Sequence, residues 1–172
     1  MKNLIALTAS CLLFSGAMYA DEPVVAVTID ALRADPSLFE THRYISTGQP
    51  DEEILALAKE AGYVAVIDLR TAEEDRGLDE QAATESAGLA YYWLPVAGAK
   101  DTTYENARAL DELVAGIDGP ILLHCRSGNR VGALLALSAG KHGASDEEAL
   151  QIGRKAGLTS LEPVVIERLR EQ

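Results

Sequence analysis

The stretch Ile121-Leu122-Leu123-His124-Cys125-Arg126-Ser127-Gly128-Asn129-Arg130 constrains this chain more than any other. Its apolar start, bounded by Gly119-Pro120, reads as a buried strand. Val131 to Leu137, which follows, reads as a buried helix. Between them lies a tight loop with Gly128 at its centre and Arg130 opening the helix. A buried strand feeding a buried helix is the unit from which α/β sheets are built, and ligands bind such sheets beyond the carboxyl ends of the strands. Cys125 falls at that end.

The rest of the chain repeats the unit. Tyr44 to Pro50 reads as a short strand and turn. Asp51-Glu52-Glu53 then opens an amphipathic helix, its acids suited to the positive N-terminus, and Gly62 stops it. Tyr63 to Leu69 is nearly all apolar, as a strand buried on both faces of a parallel sheet must be. A charged loop over residues 70–79 leads to a short helix over 80–87 and a strand over 90–94. Thr102 or Thr103 caps the next helix, and Ser145 with Glu148 forms a capping box before another. A last helix runs from about Ser160 to Leu169. Strands alternating with helices predict an α/β fold of three layers, a mostly parallel sheet of four to five strands flanked by helices.

Residues 1–20 carry Lys2, an apolar stretch from Leu4 to Phe14, and the small residues before Ala20. This is the pattern of a secretory leader cleaved after Ala20, which predicts a periplasmic or secreted protein. The expected organisation is a leader (1–20), an extended mature N-terminus (21–38), in which Val24 to Ile29 could equally form a first strand, and one catalytic domain (39–172). A formal charge of −12 argues against non-specific binding to nucleic acid or to anionic membranes. Any anionic substrate must be attracted locally. Of the two cysteines, Cys11 would leave with the leader. A lone thiol in an exported protein suggests reactive use rather than a disulfide framework. His42, His124 and His142 stand far apart in sequence, so neither a metal site nor a cofactor is expected.

A cysteine at a strand-to-helix turn faces the helix's unpaired N–H groups and the positive end of its dipole, both of which favour the nucleophilic thiolate. The loop residues Arg126, Ser127, Gly128 and Asn129, with Arg130, make an anion cradle around the sulfur. Most free cysteines are simply buried apolar residues, but that alternative leaves Gly128 and the two arginines unexplained. His124 either orients the loop or is an ordinary buried histidine.

The His-Cys pair with a Gly-centred loop and an Arg resembles the active-site loop of the cysteine-dependent phosphatases. Those enzymes have one more residue between Cys and Arg than the four found here. The string Cys-Arg-Ser-Gly-Asn-Arg also resembles the loop of rhodanese-type sulfurtransferases. Over residues 39–169, Ile45-Ser46-Thr47-Gly48-Gln49-Pro50, Val66-Ile67-Asp68-Leu69-Arg70 and Leu94-Pro95-Val96 resemble the phosphatase-like domain of the beta-lactamase-hydrolase-like proteins. That resemblance implies a protein-tyrosine-phosphatase-like fold, Cys125 as nucleophile, Arg130 as anion ligand and Asp101 as general acid. It implies hydrolysis of a phosphomonoester through phosphocysteine. Val131 stands where many phosphatases carry Ser or Thr, and with the short loop it keeps sulfur transfer through a Cys125 persulfide open. A binding module that keeps the cradle without turnover is the third reading. In each case the partner is a small anion, a phosphate ester or a sulfane sulfur donor. Cleavage of the leader predicts that N-terminal sequencing of exported material begins at Asp21; material recovered from the cytoplasm and starting at Met1 would overturn it.

Overall fold

The apolar runs become five parallel strands: β1 (Val25–Ala26), β2 (Tyr44–Thr47), β3 (Ala65–Asp68), β4 (Ala90–Trp93) and β5 (Ile121–His124). A computed structural model describes residues 22–171, and the expected leader lies outside the described residues. The spatial order is β1-β2-β5-β3-β4, so β5 is central and the two most apolar segments, β3 and β5, are neighbours. Every residue of both strands is buried, as parallel strands covered on two faces require.

Side chains alternate between the faces. Ile45, Val66 and Leu122 pack with Leu32, Phe39, Ile54, Leu55 and Ala58 on one side. That layer holds α1 (Ile29–Ala34), α2 (Glu52–Glu60) and α3 (Glu80–Ser86). Ile67, Ile121 and Leu123 pack on the other side with α4 (Tyr104–Ala115), α5 (Asn129–Lys141), α6 (Asp146–Lys155) and α7 (Glu162–Arg170). This is the three-layer α/β architecture that the sequence predicts. The caps fall where expected: Thr103 accepts from Asn106 N, and Ser145 and Glu148 close a capping box. No helix among the described residues is long and apolar enough to cross a membrane.

The expected extended N-terminus is corrected: among residues 22–38 the chain forms the alternative first strand and then a helix. Val25 and Ala26 pair with Ile45 and Ser46 as an edge strand, and Thr28 caps α1 through Ala31 N. Leu32 and Phe39 are fully buried. Burying two large apolar side chains contributes roughly 1.5–3 kcal/mol each, enough to fix so short a segment.

Helix α5 is buried from Val131 to Ala139, and α6 crosses it closely. A Cβ added at Gly132 would sit 2.3 Å from Leu158 N and 2.5 Å from Gly153 O, both backbone atoms. Glycine at 132 therefore sets the distance between the two helices. Gly132→Ala should lower stability by about 3 kcal/mol or more, since backbone must move to admit the methyl group. A chemical-denaturation midpoint equal to wild type would show that the helices separate freely.

Candidate active site

Cys125 directly follows β5 and is 1% exposed. The chain then turns through exposed Arg126 and Ser127 to Gly128, whose φ of 80° lies in the left-handed region that favours glycine. Gly128 is the N-cap of α5 and has no side-chain cap, so the helix start presents backbone N–H groups. Three neighbours brace this loop. Ser127 bridges Gly48 in the turn after β2. Gly157, after α6, is so close to Gly128 that a Cβ there would lie 3.2 Å from Gly128 C. The Asn129 side chain donates to Ser160 Oγ (2.8 Å) and accepts from Thr159 N (2.8 Å). Asn129 thus ties the loop to the turn before α7 with its amide, leaving its own backbone N–H at the helix start.

Arg130 reaches back over the loop and is held from three sides. Its Nη1 donates to Leu69 O (3.2 Å), Val96 O (2.8 Å) and Glu74 Oε1 (2.6 Å). Its Nη2 donates to Glu74 Oε2 (2.7 Å). The bond to Glu74, and next the negative field of Cys125 beside it, raise the guanidinium's pKa against the opposing effect of burial. Glu74 grips the end of the guanidinium, which leaves the Nε edge for a ligand. In turn the Arg130 hydrogen bond, with help from Thr71 N and Arg70, draws the Glu74 carboxyl down to about 2.

Thr71, Glu74, Ala97, Gly98, Ser160 and Leu161 join the Cys125 loop and Arg130 around a cleft of 440 Å³. Of the residues expected from sequence, Cys125, Arg126, Ser127, Asn129 and Arg130 line it, and Gly128 shapes it. Asp101 does not. It ends a 3-10 turn over Ala99–Asp101, and its carboxylate accepts from Ala97 N at 2.9 Å.

His124 is fully buried on the opposite face of the sheet from Leu123, in register with Thr47 and Asp68. Its Nε2 lies 2.6 Å from Glu80 Oε1 and 3.5 Å from Asp68 Oδ1. Asp68, Glu80 and His124 are the one grouping among the described residues with the donor types of a metal site. Sequence reasoning missed both Glu74 and this cluster. The available signal was Asp68, a carboxylate ending an otherwise apolar strand, which must find partners when buried.

The family described as beta-lactamase hydrolase-like protein, phosphatase-like domain, matches residues 38–142, a span that includes β2 to α5 and the whole Cys125 loop. The chain belongs to this family. A beta-lactamase hydrolase-like protein of Xylella fastidiosa is 38% identical over 100 residues, covering 56% of this chain and 23% of that protein. The chain therefore spans under a quarter of the curated relatives it matches. A candidate phosphatase of Neisseria meningitidis shares the fold with a TM-score of 0.63 at 23% identity, over 73% of this chain and 90% of that one. Kinase associated phosphatase, studied with its catalytic cysteine replaced by serine, gives 0.56 at 17% identity over 70% and 74%. The fold is that of the tyrosine-phosphatase-like enzymes, and the family's domain is phosphatase-like.

The Glu74–Arg130 pair makes stability depend on acid. Glu74's folded value lies below the usual 4.5 at about 2, so its contribution is present above pH 4.5 and disappears as pH falls toward 2. The difference corresponds to about 3 kcal/mol, with roughly 2 lost by pH 3. Glu74→Gln should be less stable than wild type at pH 7, and the gap should narrow by about that amount at pH 3. Denaturant titration at the two pH values measures it; a constant gap would mean that the pair adds nothing.

Proposed function

We propose that the protein hydrolyses a phosphomonoester in two steps through a phosphocysteine at Cys125. The supporting observation is Arg130, fixed end-on by Glu74 beside a buried cysteine at the start of α5. In the first step the Cys125 thiolate attacks phosphorus, and the bond to the leaving oxygen breaks. The Nε edge of Arg130 and the N–H groups at the start of α5 hold the non-bridging oxygens as charge shifts among them. The leaving oxygen takes a proton. In the second step water attacks phosphorus, the S–P bond breaks, and the thiolate is restored.

Asp101 is the proposed proton donor. The turn that holds it follows Ala97 and Gly98, which line the cleft, and its carboxylate must leave Ala97 N to reach a leaving group. Gly98, at φ 83°, lets that segment bend where other residues are strained. Export belongs to the same reading: with residues 1–20 removed, Cys125 would have no cysteine to pair with.

Sulfur transfer through a Cys125 persulfide is the second reading, favoured by the four-residue spacing from Cys125 to Arg130. Side-by-side assays on an aryl phosphate and on thiosulfate with cyanide separate the two. Cys125→Ser should abolish turnover, and Arg130→Lys should weaken anion binding because an ammonium has no planar fork. Asp101→Asn should slow an ester with a basic leaving group by roughly 10² or more, and an activated aryl ester much less. Expulsion of sulfite needs no such proton. Ready turnover of thiosulfate with neither ester hydrolysed would overturn the phosphatase reading.

A further inference from the structure

The cleft over Cys125 adjoins a second depression of 590 Å³, and two residues, Glu74 and Arg126, line both. Glu74 is already held, bidentate on Arg130. Arg126 is exposed on the divide.

The other arginines of the second depression are committed. Arg70 Nε meets Glu74 Oε2 at 3.2 Å, its Nη1 donates to Gln49 Oε1, and its Nη2 donates to Asp75 O at 2.8 Å. Arg76 reaches Asp68 Oδ2 at 2.7 Å and Glu80 Oε2 at 3.3 Å, and it also donates to the carbonyls of Arg70, Thr71 and Glu74. Asp75, the other acid lining the depression, accepts from Gly77 N through Oδ1 at 2.8 Å. Among the described residues, none supplies the Arg126 side chain with a hydrogen bond or an ion pair. Its charge is therefore open to a ligand, in a chain whose net charge of −12 otherwise repels anions.

The root of this side chain is fixed. Ser127 bridges Gly48, and a Cβ added at Gly48 would lie 3.2 Å from Arg126 O, so the turn after β2 packs directly on the backbone here. Consecutive Cα atoms lie about 3.8 Å apart. From the position next to Cys125, a side chain as long as arginine's meets a group attached a few bonds from a phosphorus held over the sulfur. The planar fork of a guanidinium matches a phosphate or a carboxylate equally.

We propose that Arg126 is a specificity-determining residue that binds a second anionic group of the substrate. The preferred substrate class is then a phosphomonoester that carries a further phosphate or carboxylate close to the scissile group. This deepens, and rests on, the reading of Cys125 as the site of phosphoryl transfer. Arg130 and the start of α5 hold the phosphoryl group common to all such esters. Arg126 selects among the esters by what else they carry, because an ester without the second anion leaves its guanidinium in water.

The test uses the intact protein and two non-reacting probes, methylphosphonate and methylenebisphosphonate, with binding read by titration calorimetry. Wild type should bind the bisphosphonate roughly tenfold more tightly, the scale of one charge-assisted hydrogen bond. In Arg126→Gln the two affinities should converge. Lys100→Gln removes an equal charge from the turn over Ala99–Asp101 beside the cleft, and should keep the wild-type preference. Failure of both probes to bind, equal binding in wild type, or a preference that survives Arg126→Gln would each overturn the proposal. So would an equal loss in Lys100→Gln, since a summed field rather than a contact would then be responsible. In turnover, carboxyphenyl phosphate should exceed phenyl phosphate in kcat/KM, chiefly through KM, and Arg126→Gln should erase the difference. Probe binding needs no turnover. A failed phosphatase reading would show as neither ester hydrolysed with the probe preference intact, and a failed role for Arg126 as both esters hydrolysed without preference.

Discussion

A long guanidinium side chain beside the cysteine loop is useful only if it is kept from swinging into water. Glu74 holds it by gripping Nη1 and Nη2 together while Leu69 O and Val96 O hold Nη1 from behind. All three anchors come from segments that follow β3, which pairs with β5, or β4, the edge strand beyond β3. The orientation of one arginine thus depends on the register of three strands. A bidentate carboxylate is the strongest partner available for a guanidinium, and the pair's partial burial weakens its screening by salt. The pair also solves a charge problem. In a chain of net charge −12, a free arginine would attract any of many carboxylates, whereas a paired one offers a fixed edge.

The loop beneath Arg130 is held as tightly by close packing. Gly132 and Gly153 bring α5 against α6, and Gly157 brings the following turn against Gly128. Asn129 then stitches Thr159 and Ser160 to the start of α5. Atoms that pack at such distances have few alternative arrangements, so the N–H groups of the loop are aimed before any anion arrives. Preorganised donors of this kind need no reorganisation as charge develops.

Much of this was legible in the sequence because it is local. β3 and β5 show as apolar runs, the capping box as Ser145 and Glu148, and the cradle as contiguous residues around Gly128. Two things were not. α1 has six residues, too few for a periodic signal, so Leu32 and Phe39 gave no hint that they close the core. Glu74 lies 56 residues from Arg130, in a charged loop that reads as solvated. Glu80 is hidden in the same way at the start of a helix, where an acid usually serves the dipole. Only the crossover topology brings these acids to β5.

The short spacing from Cys125 to Arg130 looks at first like a deficit of donors for a phosphoryl group. The structure shows where replacements come from. Because α5 begins at Asn129, its first turn starts four residues after the cysteine, and its first intrahelical bond runs from Gly132 N to Gly128 O. The N–H groups of Asn129 and Arg130 precede that bond and have no carbonyl of their own helix to meet. A longer loop would supply such donors from irregular backbone; a shorter one brings up the helix end, with its dipole, sooner. The phosphatase reading therefore does not need the extra residue. It needs the helix to start where it does, and Gly128, left-handed and wedged against Gly157, is what starts it there.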